Sequence, residues 1–199
     1  MATTIQDGTG KGYQAKVDES NRLNTRSITE DAQLEATVNG DTYFVGSPFV
    51  TQTGSSINGL LYFNSNEEVE LFAKTFSTQS RYSSGATFDN YLLFIYSDIQ
   101  ESTLTGTWTD FTPLNLNFGS SNTLSGTYKY GSASGASFST IGTVQPKIQL
   151  AFPVNVYNQI VTNLIIPKGV GIIAMVVPPT GNTAMPVQFG LALSRLTNI

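Results

Sequence analysis

Nine short runs of strand-forming residues, each closed by Gly, Pro, Asn or Ser, constrain this chain more than any other feature. They cover residues 42–45, 60–64, 69–77, 91–97, 137–142, 147–152, 160–166, 170–177 and 187–193. No helical period intervenes between them, which predicts an antiparallel all-β domain rather than βαβ units. The last run alternates, with Val187, Phe189, Leu191 and Leu193 on one face and Gln188, Gly190, Ala192 and Ser194 on the other. That is a strand with one face in a core. Ile148, Leu150 and Phe152 alternate in the same way, whereas 91–96 and 172–177 are apolar on both faces. A two-faced apolar strand lies either under a second layer or at a subunit contact. Strands in this number, with long connections, predict a β-sandwich of jelly-roll type over residues 42–199, with an immunoglobulin-like sandwich as the alternative.

Residues 1–41 differ. Their large apolar side chains are scattered, too few for a core, and the segment reads as an N-terminal arm. Two short extended pieces, 13–17 and 22–27, flank a turn at Asp18–Asn21. Thr29, Glu30 and Asp31 suit the start of a short helix that carries Leu34 and Val38, and Gly40 stops it. If the arm grips a neighbour, Tyr13, Val17, Leu23 and Ile28 are its candidate anchors; the alternative is that it packs on its own domain.

Composition removes most enzyme chemistry. The chain has no Cys and no His among 199 residues, which excludes disulfides, thiol nucleophiles, Ser-His-Asp triads and zinc fingers. Uncharged polar residues take the place of charge: 20 Ser, 25 Thr and 15 Asn against 12% charged residues. All 14 carboxylates lie at or before Asp110, while Lys129, Lys147, Lys168 and Arg195 follow it. Such an asymmetry suits self-association or a charged partner, or it is a neutral β surface with no further meaning. No basic run is present to bind nucleic acid. No apolar run approaches the ~20 residues of a membrane span, and no signal-peptide pattern opens the chain. These features predict synthesis in a cytoplasm without export.

The motifs tested for catalysis fail. The Gly8–Gly12 segment lacks the spacing and the Ser/Thr of a phosphate loop. Glu67, Glu68, Glu70, Asp98, Glu101 and Asp110 are the candidates for a paired-carboxylate hydrolase. They sit at turns and strand ends, where solvation is the expected role. Without His or Cys a metal would need oxygen ligands, and no calcium-loop pattern occurs; no cofactor is expected. Among 22 aromatic residues, Trp108, Tyr128, Tyr130 and Tyr157 are the candidates for an exposed platform. Tyr128 and Tyr130 lie in a Gly- and Ser-rich stretch, 119–136, expected to be a loop.

Three places carry a family resemblance. The first is Ala15-Lys16-Val17-Asp18-Glu19-Ser20-Asn21-Arg22-Leu23, with Arg26-Ser27-Ile28-Thr29-Glu30 and Asn39-Gly40-Asp41-Thr42-Tyr43. The second is Gly59-Leu60-Leu61-Tyr62-Phe63-Asn64-Ser65-Asn66, with Asn115-Leu116-Asn117-Phe118-Gly119-Ser120. The third runs from Ile166-Pro167-Lys168-Gly169 to Pro178-Pro179-Thr180-Gly181-Asn182. Together they resemble tailed-bacteriophage virion structural proteins, most of all capsid decoration (cement) proteins. The resemblance implies a non-enzymatic jelly-roll subunit, a homotrimer, on the outer surface of the capsid and bound to the major capsid protein. It leaves open a receptor- or glycan-binding module of a tail or head fibre. It carries over no functional residue.

Overall fold

The computed structural model describes residues 5–6, 14–15, 32–52, 57–81, 90–131, 135–179 and 185–195. The chain divides into two units, Met1–Asp31 and Ala32–Ile199. In the first, β1 (Ile5–Gln6) pairs antiparallel with β2 (Gln14–Ala15). Tyr13, Val17, Leu23 and Ile28 lie outside the described residues.

The second unit opens with helix α1 (Ala32–Val38). Its end is a Schellman motif. Gly40, at φ +78°, donates its N–H to Thr37, and the Asp41 N–H reaches back to Ala36. The strands that follow are β3 (Thr42–Gly46), β4 (Val50–Gln52), β5 (Asn58–Ser65), β6 (Leu71–Ser80) and β7 (Asn90–Tyr96). An insertion follows, residues 97–147, holding a 3-10 turn (Glu101–Thr103) and five short strands. These are β8 (Leu104–Thr105), β9 (Trp108–Asp110), β10 (Leu114–Asn115), β11 (Gly126–Gly131) and β12 (Ser137–Phe138). The chain then completes β13 (Ile148–Pro153), β14 (Tyr157–Ile166), β15 (Gly171–Val177) and β16 (Met185–Arg195).

The expected antiparallel all-β sandwich is present. One sheet runs β10-β3-β16-β6-β14, with β4 continuing beside β16; the other runs β13-β7-β15-β5-β11-β9. Their facing sides form one core. It includes the predicted inner face of β16, where Val187, Phe189, Leu191 and Leu193 are fully buried, together with Phe76, Leu93 and Val176. Each such large side chain contributes about 1.5–3 kcal/mol by leaving water. Phe76 and Phe189 meet across neighbouring strands at 5.2 Å between ring centroids. The first strand of the sandwich lies beside the last, and the Thr42 and Ser194 hydroxyls are hydrogen bonded at 3.1 Å.

The two-faced apolar strands have an internal explanation. Tyr62, Tyr96, Ile173 and Met175, on the outer face of the second sheet, form a second buried cluster. Insertion residues Ile99, Leu104, Trp108 and Phe138 cover it. The second layer is therefore the chain's own insertion. The same insertion adds β10 to the edge of β3 and β11 to the edge of β5. It covers one flank of the sandwich, while β13 and β14 remain edge strands among the described residues.

Candidate contact surface

Four of the six carboxylates proposed for paired-acid chemistry, Glu67, Glu68, Glu101 and Asp110, are held in ion pairs. Glu67, expected at a solvated turn, is only 9% exposed. Arg195 Nε and Nη2 donate to its two carboxylate oxygens at 2.9 and 2.8 Å. Arg195 also reaches Asp41 at 2.9 Å and lies over the Tyr43 ring. Burial works against its charge, but the hydrogen bonds to Glu67 and Asp41 outweigh it and raise the guanidinium pKa. Glu68 pairs with Lys168, and Lys129 bridges Asp110 and Glu101. The Asp110 hydrogen bond is the main cause that raises the Lys129 pKa. Three of the four cations after residue 110 thus pair with acids at or before it. Among the described residues, no group of three or more acidic side chains is placed to hold a metal ion.

The aromatic candidates are corrected in part. Residues Gly126–Gly131 are a strand rather than loop. Thr127 and Lys129 alternate with Tyr128 and Tyr130, and the two tyrosines turn toward Phe111 at 6.2 and 6.1 Å. Tyr128 is 4% exposed, and burial pushes its phenol pKa well up. It is therefore not an exposed loop contact. Tyr130 is half-buried against the core, and Trp108 packs in the second cluster. Of these aromatics, Tyr157 on β14 stands exposed.

What the chain does present to solvent is a set of aliphatic and aromatic groups on a stiffened base. Leu34 and Val38, legible in sequence as one helical face, point outward, while Ala36 is buried. Beside the helix end, the segment after β10 is tied down by asparagines. Asn117 Nδ2 donates to the Val38 carbonyl at 2.9 Å, and Asn115 Nδ2 donates to the Gly40 carbonyl at 2.8 Å. Asn122 Nδ2 donates to the Asn39 carbonyl at 3.3 Å. These amides satisfy carbonyls that a helix C-terminus leaves unpaired. The Asn115 and Asn117 side-chain oxygens accept from the N–H groups of Asn117 and Gly119, folding the segment on itself. Arg195 Nη2 holds its far end through the Thr123 carbonyl.

The tip of this pinned segment carries Phe118, which is 93% exposed, with Leu114 and Leu116 also open to solvent. Leu114 further begins an uncharged row across the outer face of the first sheet, through Phe44, Ala192, Thr75 and Val161. A large apolar group held rigid in water loses little conformational freedom on binding, so burial of it converts efficiently into affinity. Beyond the Asn spacing at 115, 117 and 122, nothing in the sequence signals the clasp, since its acceptors lie 79 and 83 residues upstream of Asn117 and Asn122. Compared with known protein families and with characterised proteins, the chain matches none.

Proposed function

We propose that this chain is a non-enzymatic virion structural protein that decorates and stabilises a phage capsid by binding the major capsid protein lattice. The observation that carries this reading is Phe118, an almost fully exposed aromatic on a segment fixed by three asparagine side chains. Such a group suits recognition by contact, not turnover. The strand order supports the jelly-roll form of the subunit. Counted in chain order over β3, β5, β6, β7, β13, β14, β15 and β16, one sheet reads 1-8-3-6 and the other 5-4-7-2. That is an eight-strand double-sheet interleaving of the jelly-roll kind. Stabilisation would come from burial summed over many sites. A standard interface buries about 1,200–2,000 Å², and multivalent attachment to a lattice adds weak contacts into firm retention. The N-terminal arm, with Tyr13, Val17, Leu23 and Ile28, is the second contact element in this reading.

The test is copy number in purified particles, by quantitative mass spectrometry against the major capsid protein. Hundreds of copies support a lattice-covering role. A few dozen or fewer move the protein to a vertex, tail or fibre, and none at all ends the virion reading.

A further inference from the structure

The outer face of the first sheet holds a shallow recess of about 130 Å³ beside the row that Leu114 begins. Three strands build it in register. Gln188 on β16 lies opposite Gln79 on β6, and Gln79 lies opposite Tyr157 on β14. Two residues along, Gly46 lies opposite Gly190, and Gly190 opposite Ser77. Phe44 borders the recess from β3. Its ring leans over the two glycines. A Cβ at Gly190 would stand 2.6 Å from Phe44 Cζ, and one at Gly46 would stand 2.8 Å from it, closer than real side chains approach. Glycine in mid-strand marks such a close approach, and a side chain at either position would lift the ring.

The lining narrows what can fill the recess. Among the described residues none of its lining side chains is charged, so nothing there offsets the desolvation of an ion. Gln79 and Gln188 each bring a donor and an acceptor, which is what a hydroxyl-bearing ligand needs. No described protein group takes up either amide. Ser77 Oγ donates to the Gly190 carbonyl at 3.3 Å and keeps lone pairs to accept. Tyr157, 58% exposed, and Phe44 add flat apolar faces. An apolar cavity of roughly 150 Å³ holds a benzene ring, so this recess has room for one six-membered ring with its substituents in water. A ring with C–H faces and a hydroxyl edge satisfies both kinds of lining.

We infer that the recess binds one neutral pyranose residue of a glycan, packed against Tyr157 and Phe44 and hydrogen bonded by Gln79, Gln188 and Ser77. The site is separate from Phe118 and does not depend on the capsid reading. One open recess of this size binds weakly by itself, and many copies facing a polysaccharide sum such contacts.

The test gathers biotinylated full-length protein on labelled streptavidin and applies it to a printed array. The array carries neutral hexose and N-acetylhexosamine oligosaccharides beside sialylated and sulfated ones. Retention on neutral glycans is expected. The neutral oligosaccharide retained best is then titrated against the free protein. Tyr157→Ala and Gln188→Ala should each weaken binding about tenfold. Tyr157→Phe, which keeps the ring, should stay within about threefold of wild type. Phe118→Ser and Val161→Ser, which do not line the recess, should bind as wild type; circular dichroism checks that each variant folds. Retention of no neutral glycan, retention of acidic glycans only, or unchanged affinity in Tyr157→Ala or Gln188→Ala overturns the inference. Sugar binding by a protein absent from virions leaves the inference standing and removes the capsid reading. Hundreds of copies per virion without sugar binding do the reverse.

Discussion

Arg195 holds Glu67 in a two-pronged ion pair, 2.9 Å through Nε and 2.8 Å through Nη2, across 128 residues of sequence. Side-chain exposure is 16% for Arg195 and 10% for Glu67, so water screens the pair little. Removing one partner leaves a buried charge poorly compensated. Glu67→Gln is expected to cost about 3 kcal/mol, read as a lower denaturation midpoint with unchanged slope in urea. A double-mutant cycle with Arg195→Met should show strong coupling. Near-zero coupling would mean that Asp41 alone holds the arginine.

The adjacent residue supplies the contrast. Glu68 pairs with Lys168, but its side chain is 85% exposed. Glu68→Gln should change stability by less than about 1 kcal/mol, and any loss should vanish in high salt. A cost comparable to that of Glu67→Gln would show that exposure does not govern these pairs.

The asparagine clasp predicts a local effect with a wider readout. Asn115→Ala removes donors to the Gly40 and Asn122 carbonyls and the acceptor for the Asn117 N–H. About 1–2 kcal/mol should be lost, and amide exchange should speed up over residues 115–122 while β16 stays protected. Unchanged exchange there would mean that the segment is held by packing alone.

Alkali should unfold the protein. Burial raises the phenol pKa of Tyr43, Tyr62, Tyr91, Tyr96 and Tyr128 above the ordinary 10.0. A raised folded pKa favours the protonated form, so this contribution is complete below about pH 10 and is lost as pH climbs through the folded values. With no His or Cys, no side chain has an ordinary pKa between about 6 and 8, and the melting temperature should vary little there. Melting temperature and tyrosinate absorbance, followed together above pH 9, should change in one cooperative step. Ionisation of these tyrosines without unfolding would contradict their burial.

Periodicity exposed the sandwich because burial in a strand repeats every second residue, and Val187 through Leu193 write that repeat openly. Tyr128 and Tyr130 carry the same repeat in Thr-Tyr-Lys-Tyr, but flanking Gly and Ser masked it. Leu34 and Val38 were legible as a helical face, yet which way that face turns depends on Ala36 fitting closely where larger side chains do not. Glu67 departs from the expected solvated turn for a different reason. A carboxylate at a turn is solvated unless a distant cation finds it, and nothing near residue 67 announces Arg195. The clasp around Phe118 was illegible on the same ground, since its donors and acceptors meet only after folding.

The pairing of β3 with β16 bears on how the protein is made. β10 can join one side of β3, but the other side, with Thr42 opposite Ser194, stays open until β16 has left the ribosome, and β6 likewise waits for β16 on one side and β14 on the other. Pairings this distant in sequence form slowly. A growing chain must therefore hold its early strands, with their apolar faces, unfinished until β16 has been made. The sparse charge that suits the finished surface gives those nascent strands little electrostatic protection against sticking to one another, so synthesis in quantity should favour low temperature and chaperones over speed.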